Sequence, residues 1–132
     1  MTDAADEDQV TFPLKEFLGM RMGGDEVGTG TATVELTTEH HNPNGVVHGA
    51  VLFALVDTAM GKATMSTVDD GMYCASVEVS LRFIRPATTD TLVAVATVVK
   101  RGRSIVHLEG RVHGDDDRLI ATAAGTFAVL GG

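Results

Sequence analysis

One carboxylate stands out for its surroundings. Asp57 lies in the segment from Val47 to about Thr67, where Val51, Leu52, Leu55, Val56, Ala59, Met60 and Ala63 recur at helical spacing. Its neighbours three and four positions away are Phe53, Ala54, Met60 and Gly61, none of which can neutralise a charge. A carboxyl group held there has its ionised form disfavoured by desolvation, which raises its pKa toward the range useful for a general base. The same residue could instead face water, or pair with an arginine such as Arg82 or Arg85 from a strand; on its neighbours alone, the two readings are even. Upstream, His48-Gly49 stands at the expected start of this helix, where unpaired backbone N–H groups and the positive end of the helix dipole point outward. Such a donor suits an oxygen that becomes negative in a transition state, and glycine allows close approach to the backbone. Tight helix-to-sheet packing explains Gly49 as well, and the two uses are compatible. His48 could simply cap the helix, and Asn42 before Pro43 is ordinary turn chemistry.

The elements that must hold these residues can be read from periodicity. Phe12 to Met20 is short and apolar on one side, with Pro13 suited to a first helical turn and Gly19 just past the end, so a short helix is expected. From Val27 to Thr37, Ala32, Val34 and Leu36 alternate with Thr31, Thr33 and Glu35, the period of a half-buried strand. His40-His41-Asn42-Pro43-Asn44-Gly45 is a loop by composition. The helix that follows is nearly apolar all round and is expected to be buried. After it, Ala75, Val77, Val79, Leu81 and Phe83 alternate with polar residues. Thr91 to Val99, Ser104 to His113 and Leu119 to Leu130 read as three further strands joined by tight turns. Consecutive short turns make antiparallel neighbours, so the expected fold is α+β, a mostly antiparallel sheet wrapping a central helix.

Composition narrows the function classes. With 132 residues, 44% of them apolar, one core that buries roughly two-thirds of the unfolded surface is expected. The chain should therefore hold one domain, residues 11–132, preceded by an acidic and disordered segment, residues 1–10. The net charge of -8 repels a phosphate backbone and argues against nucleic acid as a partner. No run of eighteen apolar residues appears and the first residues are acidic, which predicts no membrane span, no signal peptide and a cytoplasmic location. The single cysteine, Cys74, cannot make an intrachain disulfide. His40, His41, His107 and His113 lack zinc-site spacing with a partner to complete a ligand set, so neither a metal nor another cofactor is expected.

Asn42-Pro43-Asn44-Gly45-Val46-Val47-His48-Gly49-Ala50, followed by Asp57 in the helix, resembles the signature of hotdog-fold thioesterases of the phenylacetic-acid-degradation type. The resemblance extends to the strand Ser76 to Pro86 and covers nearly all of the chain after residue 20. It implies a curved antiparallel sheet around a long central helix, with acyl-CoA bound at the interface of two protomers in a homodimer or homotetramer. It also implies hydrolysis to free acid and CoA. Asp57 would act as general base or nucleophile, the Gly49 N–H would polarise the carbonyl, and His48 and Asn42 would orient substrate and water. By the same resemblance the Ser76 hydroxyl supports the carboxylate. Members often carry two glycines after the histidine, and here the second is Ala50, which could narrow the pocket. Arg82, Arg85, Lys100, Arg101 and Arg103 are candidates for the CoA phosphates. Two alternatives stand beside this reading: a hotdog hydratase or dehydratase using a loop histidine such as His41, and a noncatalytic acyl-CoA-binding protein. The His-Gly step at the helix start fits the thioesterase pattern better than the first, and a carboxylate as poorly accommodated as Asp57 argues against the second.

Overall fold

A computed structural model of the chain describes residues 10–131, so the acidic segment expected to be disordered lies almost entirely outside the described residues. The first helix, α1, spans Pro13–Leu18 with proline in its first turn, and Gly19 ends it in the left-handed conformation at φ 75°. The helix thus ends just before Gly19, as expected, and Met20 begins a strand of its own. The strands are β1 (Met20–Gly23), β2 (Thr29–Glu35), β3 (Met72–Phe83), β4 (Thr91–Arg101), β5 (Ile105–Gly114) and β6 (Leu119–Gly131), with the long helix α2 (Gly49–Met65) between β2 and β3. All pairings are antiparallel, in the order β1-β2-β4-β5-β6-β3. The chain therefore leaves β2, runs as α2 across the sheet, and returns as β3 on the far edge. This is the curved sheet around a central helix that the sequence implied. Among the described residues no helix is long and apolar enough to cross a membrane.

Small residues set how closely the helix approaches the sheet. Ala32, Ala59, Ala63, Ala94 and Ala96 are all buried where the two layers meet. The tightest point is Gly30 of β2, where an added Cβ would lie 2.3 Å from the Ala59 carbonyl oxygen and 2.7 Å from the Ala63 nitrogen. Backbone meets backbone there, with no flexible side chain to move aside. Larger apolar groups, Leu55, Met60, Leu92, Val34 and Val106, fill the remaining space.

The loop before α2 is tied down by His40, which is buried at the end of a 3-10 turn, Thr38–His40. Its Nδ1 accepts the Thr37 N–H at 2.9 Å, so the neutral ring carries its proton on Nε2, which lies 2.9 Å from the Leu18 carbonyl at the end of α1. One imidazole thus joins α1 to the loop that delivers α2.

Two expectations need correction. In β3 the pairing register shifts between Ser76 and Glu78, so Val77 is a bulged residue and 62% exposed rather than part of one apolar row. The bulge puts Ser76 and Cys74 on the same concave side as Val79 and Leu81, which strict alternation from Val77 would not. The second concerns α2. One side of it is buried, from Val51 to Thr64, but Ala50, Phe53 and Met65 on the other are exposed, because the sheet reaches round only half of the helix.

The Gly30 contact yields a direct expectation. Gly30→Ala forces α2 away from β2, at a cost of about 3 kcal/mol, the upper part of the usual overpacking range. The thermal midpoint should fall on the order of 10 °C. A variant that melts with wild type would show that the helix does not rest on β2 at this point.

Candidate functional site

The uncovered side of α2 forms the floor of a trough of about 1180 Å³. Asp57, Gly61, Cys74, Ser76 and Phe127 lie on its β3 side; Thr58, Lys62, Leu18, Met22 and Phe12 lie toward α1 and β1. Of the residues singled out in sequence, the trough brings together Asp57, Gly49 and Ser76. It does not include Asn42, His48 or any of the five basic candidates.

Asp57 is half-buried, and burial pushes its carboxyl above the ordinary carboxylate range; the Ser76 side chain, facing it from β3, pulls it partly back. Its Oδ1 is buried and has no hydrogen-bond partner. No ion pair joins it to Arg82 or Arg85. The thiol of Cys74 is also pushed up, by burial first and by the Asp57 charge second. Its Sγ lies 4.0 Å from the Gly61 carbonyl, on the turn of α2 after Asp57.

At the helix start, His48 is the N-cap in extended conformation, φ -68° and ψ 136°, and its Nδ1 accepts the Ala50 N–H at 2.9 Å. Its carbonyl takes the Val51 N–H. These bonds use the second and third donors of the helix and leave the first, the Gly49 N–H, without a partner among the described residues. The Phe83 ring covers this point, 3.2 Å from where a Gly49 Cβ would sit. Both uses foreseen for Gly49, packing and a free donor, therefore coexist. Asn42 is a turn residue in this chain: its Oδ1 accepts the N–H groups of Asn44 at 2.8 Å and Val46 at 3.3 Å.

The basic candidates are spread over the surface. Arg82 is exposed, opposite Thr122 of β6, and Arg85 emerges two residues past Phe83. Lys100 and Arg103 are exposed near the β4–β5 turn. Arg101 is engaged structurally: its Nε donates to Thr67 Oγ1 at 3.1 Å and its Nη1 to the carbonyls of Gly102 and Arg103. His107 and His113 lie on the convex side of the sheet, between buried Val106, Leu108 and Val112, which face the helix. Among the described residues no group of three His, Cys, Asp or Glu is placed to hold a metal ion.

The sequence reading passed over Lys62. Its signal was available, since Asp57 and Lys62 are the only charged residues of α2.

One distance decides how the site can work. Gly49 and Asp57 are eight residues apart on one helix, about 12 Å along its axis, and the first N–H points away from Asp57. A single thioester carbonyl cannot touch both groups of the same protomer.

The profile of the thioesterase superfamily matches residues 44–121, which include Gly49, Asp57 and Ser76. The chain belongs to this superfamily. It is a thioester hydrolase with the hotdog fold. A thioesterase of Pseudomonas aeruginosa is 28% identical over 118 residues, 89% of this chain and 81% of the relative. Its mutant crystal structure superposes with TM-score 0.84 at 26% identity, covering 96% of this chain and 90% of that one. The PaaI protein of the E. coli phenylacetic acid degradation operon is 25% identical, with TM-score 0.82 over 90% of this thioesterase and 85% of its own chain. A Bacillus halodurans protein solved with CoA is 26% identical, with TM-score 0.81 over 96% and 82% of the two chains.

The carboxyl of Asp57 makes a stability prediction. With its folded pKa raised above 3.8, this group's stabilising contribution is present in full below pH 3.8 and is lost as pH rises through the higher folded value. Asp57→Asn should therefore match wild type in acid and become the more stable of the two toward neutral pH. Thermal melts across that range check this, and a variant less stable than wild type at pH 7 would contradict the burial argument.

Proposed function

We propose that this thioesterase hydrolyses acyl-CoA at sites completed by two protomers, with Asp57 from one and the Gly49 N–H from the other on opposite sides of the thioester carbonyl. The observation that carries this is the gap of about 12 Å between the two groups within one chain, although both open onto the same trough. A two-fold pairing of helices running in opposite directions sets the start of each α2 beside the middle of its partner. The edge strand β3, with a free side and exposed Tyr73 and Val77, offers the place where the two sheets could join.

In this arrangement Asp57 acts as general base. Its raised pKa brings its basicity nearer to the working pH, and as a carboxylate lining the trough it can accept the proton of a water bound there. The water oxygen bonds to the carbonyl carbon, the carbonyl oxygen takes up negative charge against the Gly49 N–H and the positive end of α2, and collapse breaks the C–S bond. The proton held by Asp57 goes to the departing sulfur, giving free acid and CoA. Ser76 steadies the carboxylate. His48, with its ring proton on Nε2, is a donor at the edge of the same N-terminus. Asn42 holds the loop that places His48, and its amide NH2 stays free for water or substrate.

For the CoA phosphates, Arg85 is favoured by position, since it follows Phe83, whose ring covers Gly49, whereas Arg82 stands in one row with Thr122 and Arg111 on the convex face. The other three lie farther off, near the β4–β5 turn. The likeness to the PaaI protein and to the CoA-bound structure supports acyl-CoA as the substrate and makes an aryl-acyl group the first to try. The aromatic lining, Phe12, Phe53, Phe83 and Phe127, suits such a ring.

Thiol release from a panel of aryl and alkyl acyl-CoAs tests the activity. Asp57→Asn should lower kcat by about two to four orders of magnitude without unfolding. Gly49→Pro removes the donor at a place where His48 already has the backbone angles of a residue before proline; its ring also displaces the Phe83 side chain, so its fold is checked by melting beside its activity, which should fall by about two to three orders. Refolding the two inactive variants together provides the decisive arm. Half of the resulting dimers would be mixed, each with one intact site, so about one quarter of wild-type activity should return. No recovery would mean that each protomer holds a complete site of its own.

A further inference from the structure

Of the two charges on α2, the catalytic reading uses Asp57 and leaves Lys62 unexplained. Lys62 is half-buried, with its Cβ packed where β2 passes at Gly30, and it lines the trough beside Leu18, Met22, Thr58 and Met65. The chain has 18 acidic against 10 basic residues, yet no carboxylate among the described residues lies within ion-pair distance of this one. A lysine that lines an apolar trough without an acidic partner among the described residues has an ammonium available to a charge that the trough takes in. Its place makes sense if the missing acceptor arrives with the ligand.

Position says which part of the ligand that is. Lys62 lies five residues beyond Asp57, about 7.5 Å further along the axis, across the open side of the helix. The CoA phosphates are separated from the thioester by the whole pantetheine arm, too long a reach for a residue this close to the reacting carbon. The distal end of a short acyl group, with its carbonyl at Asp57, falls within range of the lysine side chain.

We propose that Lys62 selects acyl groups that carry an oxygen acceptor at their far end, a carboxylate above all and a phenolic hydroxyl more weakly. The preferred substrates are then monothioesters of dicarboxylic acids or hydroxylated aryl-acyl thioesters. This rests on the acyl-CoA hydrolase reading above and adds a substrate class to it. A lysine whose stem merely covers β2, with its head in water, would show no such preference.

Binding of non-hydrolysable thioether analogues separates selection from catalysis. Calorimetric titration of wild type should show the adipoyl-CoA analogue binding about tenfold tighter than the hexanoyl-CoA analogue, the size of one charge-assisted hydrogen bond. The 4-hydroxyphenylacetyl analogue should exceed the phenylacetyl analogue by less. Lys62→Arg should keep the carboxylate preference and Lys62→Met should erase it. Equal binding of the pair by wild type, or a preference that survives in Lys62→Met, overturns the proposal, and the wild-type comparison stands even if the methionine variant does not fold. Thiol release from the matching thioesters is scored separately. Hydrolysis with no end-group preference sinks the role of Lys62 and leaves the hydrolase reading intact. Preferential binding without hydrolysis does the reverse, and failure to bind either analogue removes both.

Discussion

A sheet of six strands bent round one helix can cover only one side of it, and backbone contact at Gly30 fixes which side. Because Ala59 and Ala63 rest directly against β2, the helix cannot roll, and the stripe containing Ala54, Asp57, Thr58 and Gly61 is held away from the sheet. Everything chemical in this protein follows from that exclusion. The open stripe is apolar enough to accept an acyl group and carries a carboxylate at its middle. Were the packing looser, the helix could turn Asp57 out of the trough into water, which would lower its pKa.

The state of Asp57 is a balance between neighbours. Burial raises its pKa, and Ser76 limits the rise. The β3 bulge at Val77 is what permits this, since it brings Ser76 onto the concave side while Val79 and Leu81 continue to pack against the core. A strand without the extra residue could serve the site or the core along its length, but not both. Cys74, one inward position earlier, feels the same carboxylate and is disfavoured as a thiolate. Both groups are thus held toward their protonated forms, and of the two the carboxyl starts from much the lower pKa.

Much of this was legible beforehand because it depends on local chemistry. Proline and glycine bracket α1 as their backbone preferences demand, and the long helix, its start near His48 and the later strands follow from periodicity and turn residues. Asp57 was conspicuous because no neighbour within a turn could neutralise it. What escaped depends on contacts remote in sequence. The β3 bulge arises from pairing with β6, and nothing in the alternation of Ala75 to Phe83 marks the extra residue. The half-covered state of α2 could not be read from a helix apolar on every side, because apolar residues facing a ligand or a second protomer look like core. Lys62 was overlooked because a charge next to Gly61 on a helix normally means solvent, and only the trough gives it another meaning. His40 drew attention as a candidate ligand, whereas its two ring nitrogens are engaged in joining the loop to α1.

The start of α2 shows how stability and function share one set of atoms. A helix N-terminus with free donors is costly inside a protein, and the usual remedy is a side-chain cap that satisfies one or two of them. His48 does this for Ala50 and Val51, using Nδ1 and its carbonyl, and stops one residue short of Gly49. A serine or aspartate at the same position would also cap the helix, but it would leave no ring nitrogen pointing outward beside the free donor. Capping by histidine fixes the tautomer, directs Nε2–H away from the helix, and leaves the Gly49 N–H beside it. Two donors stand at one end of α2 while the Asp57 carboxyl lies about 12 Å away at its middle. In a protomer arranged in this way the donors and the carboxylate stand too far apart for one carbonyl to meet both, and that separation is the ground on which we propose that two chains complete each site.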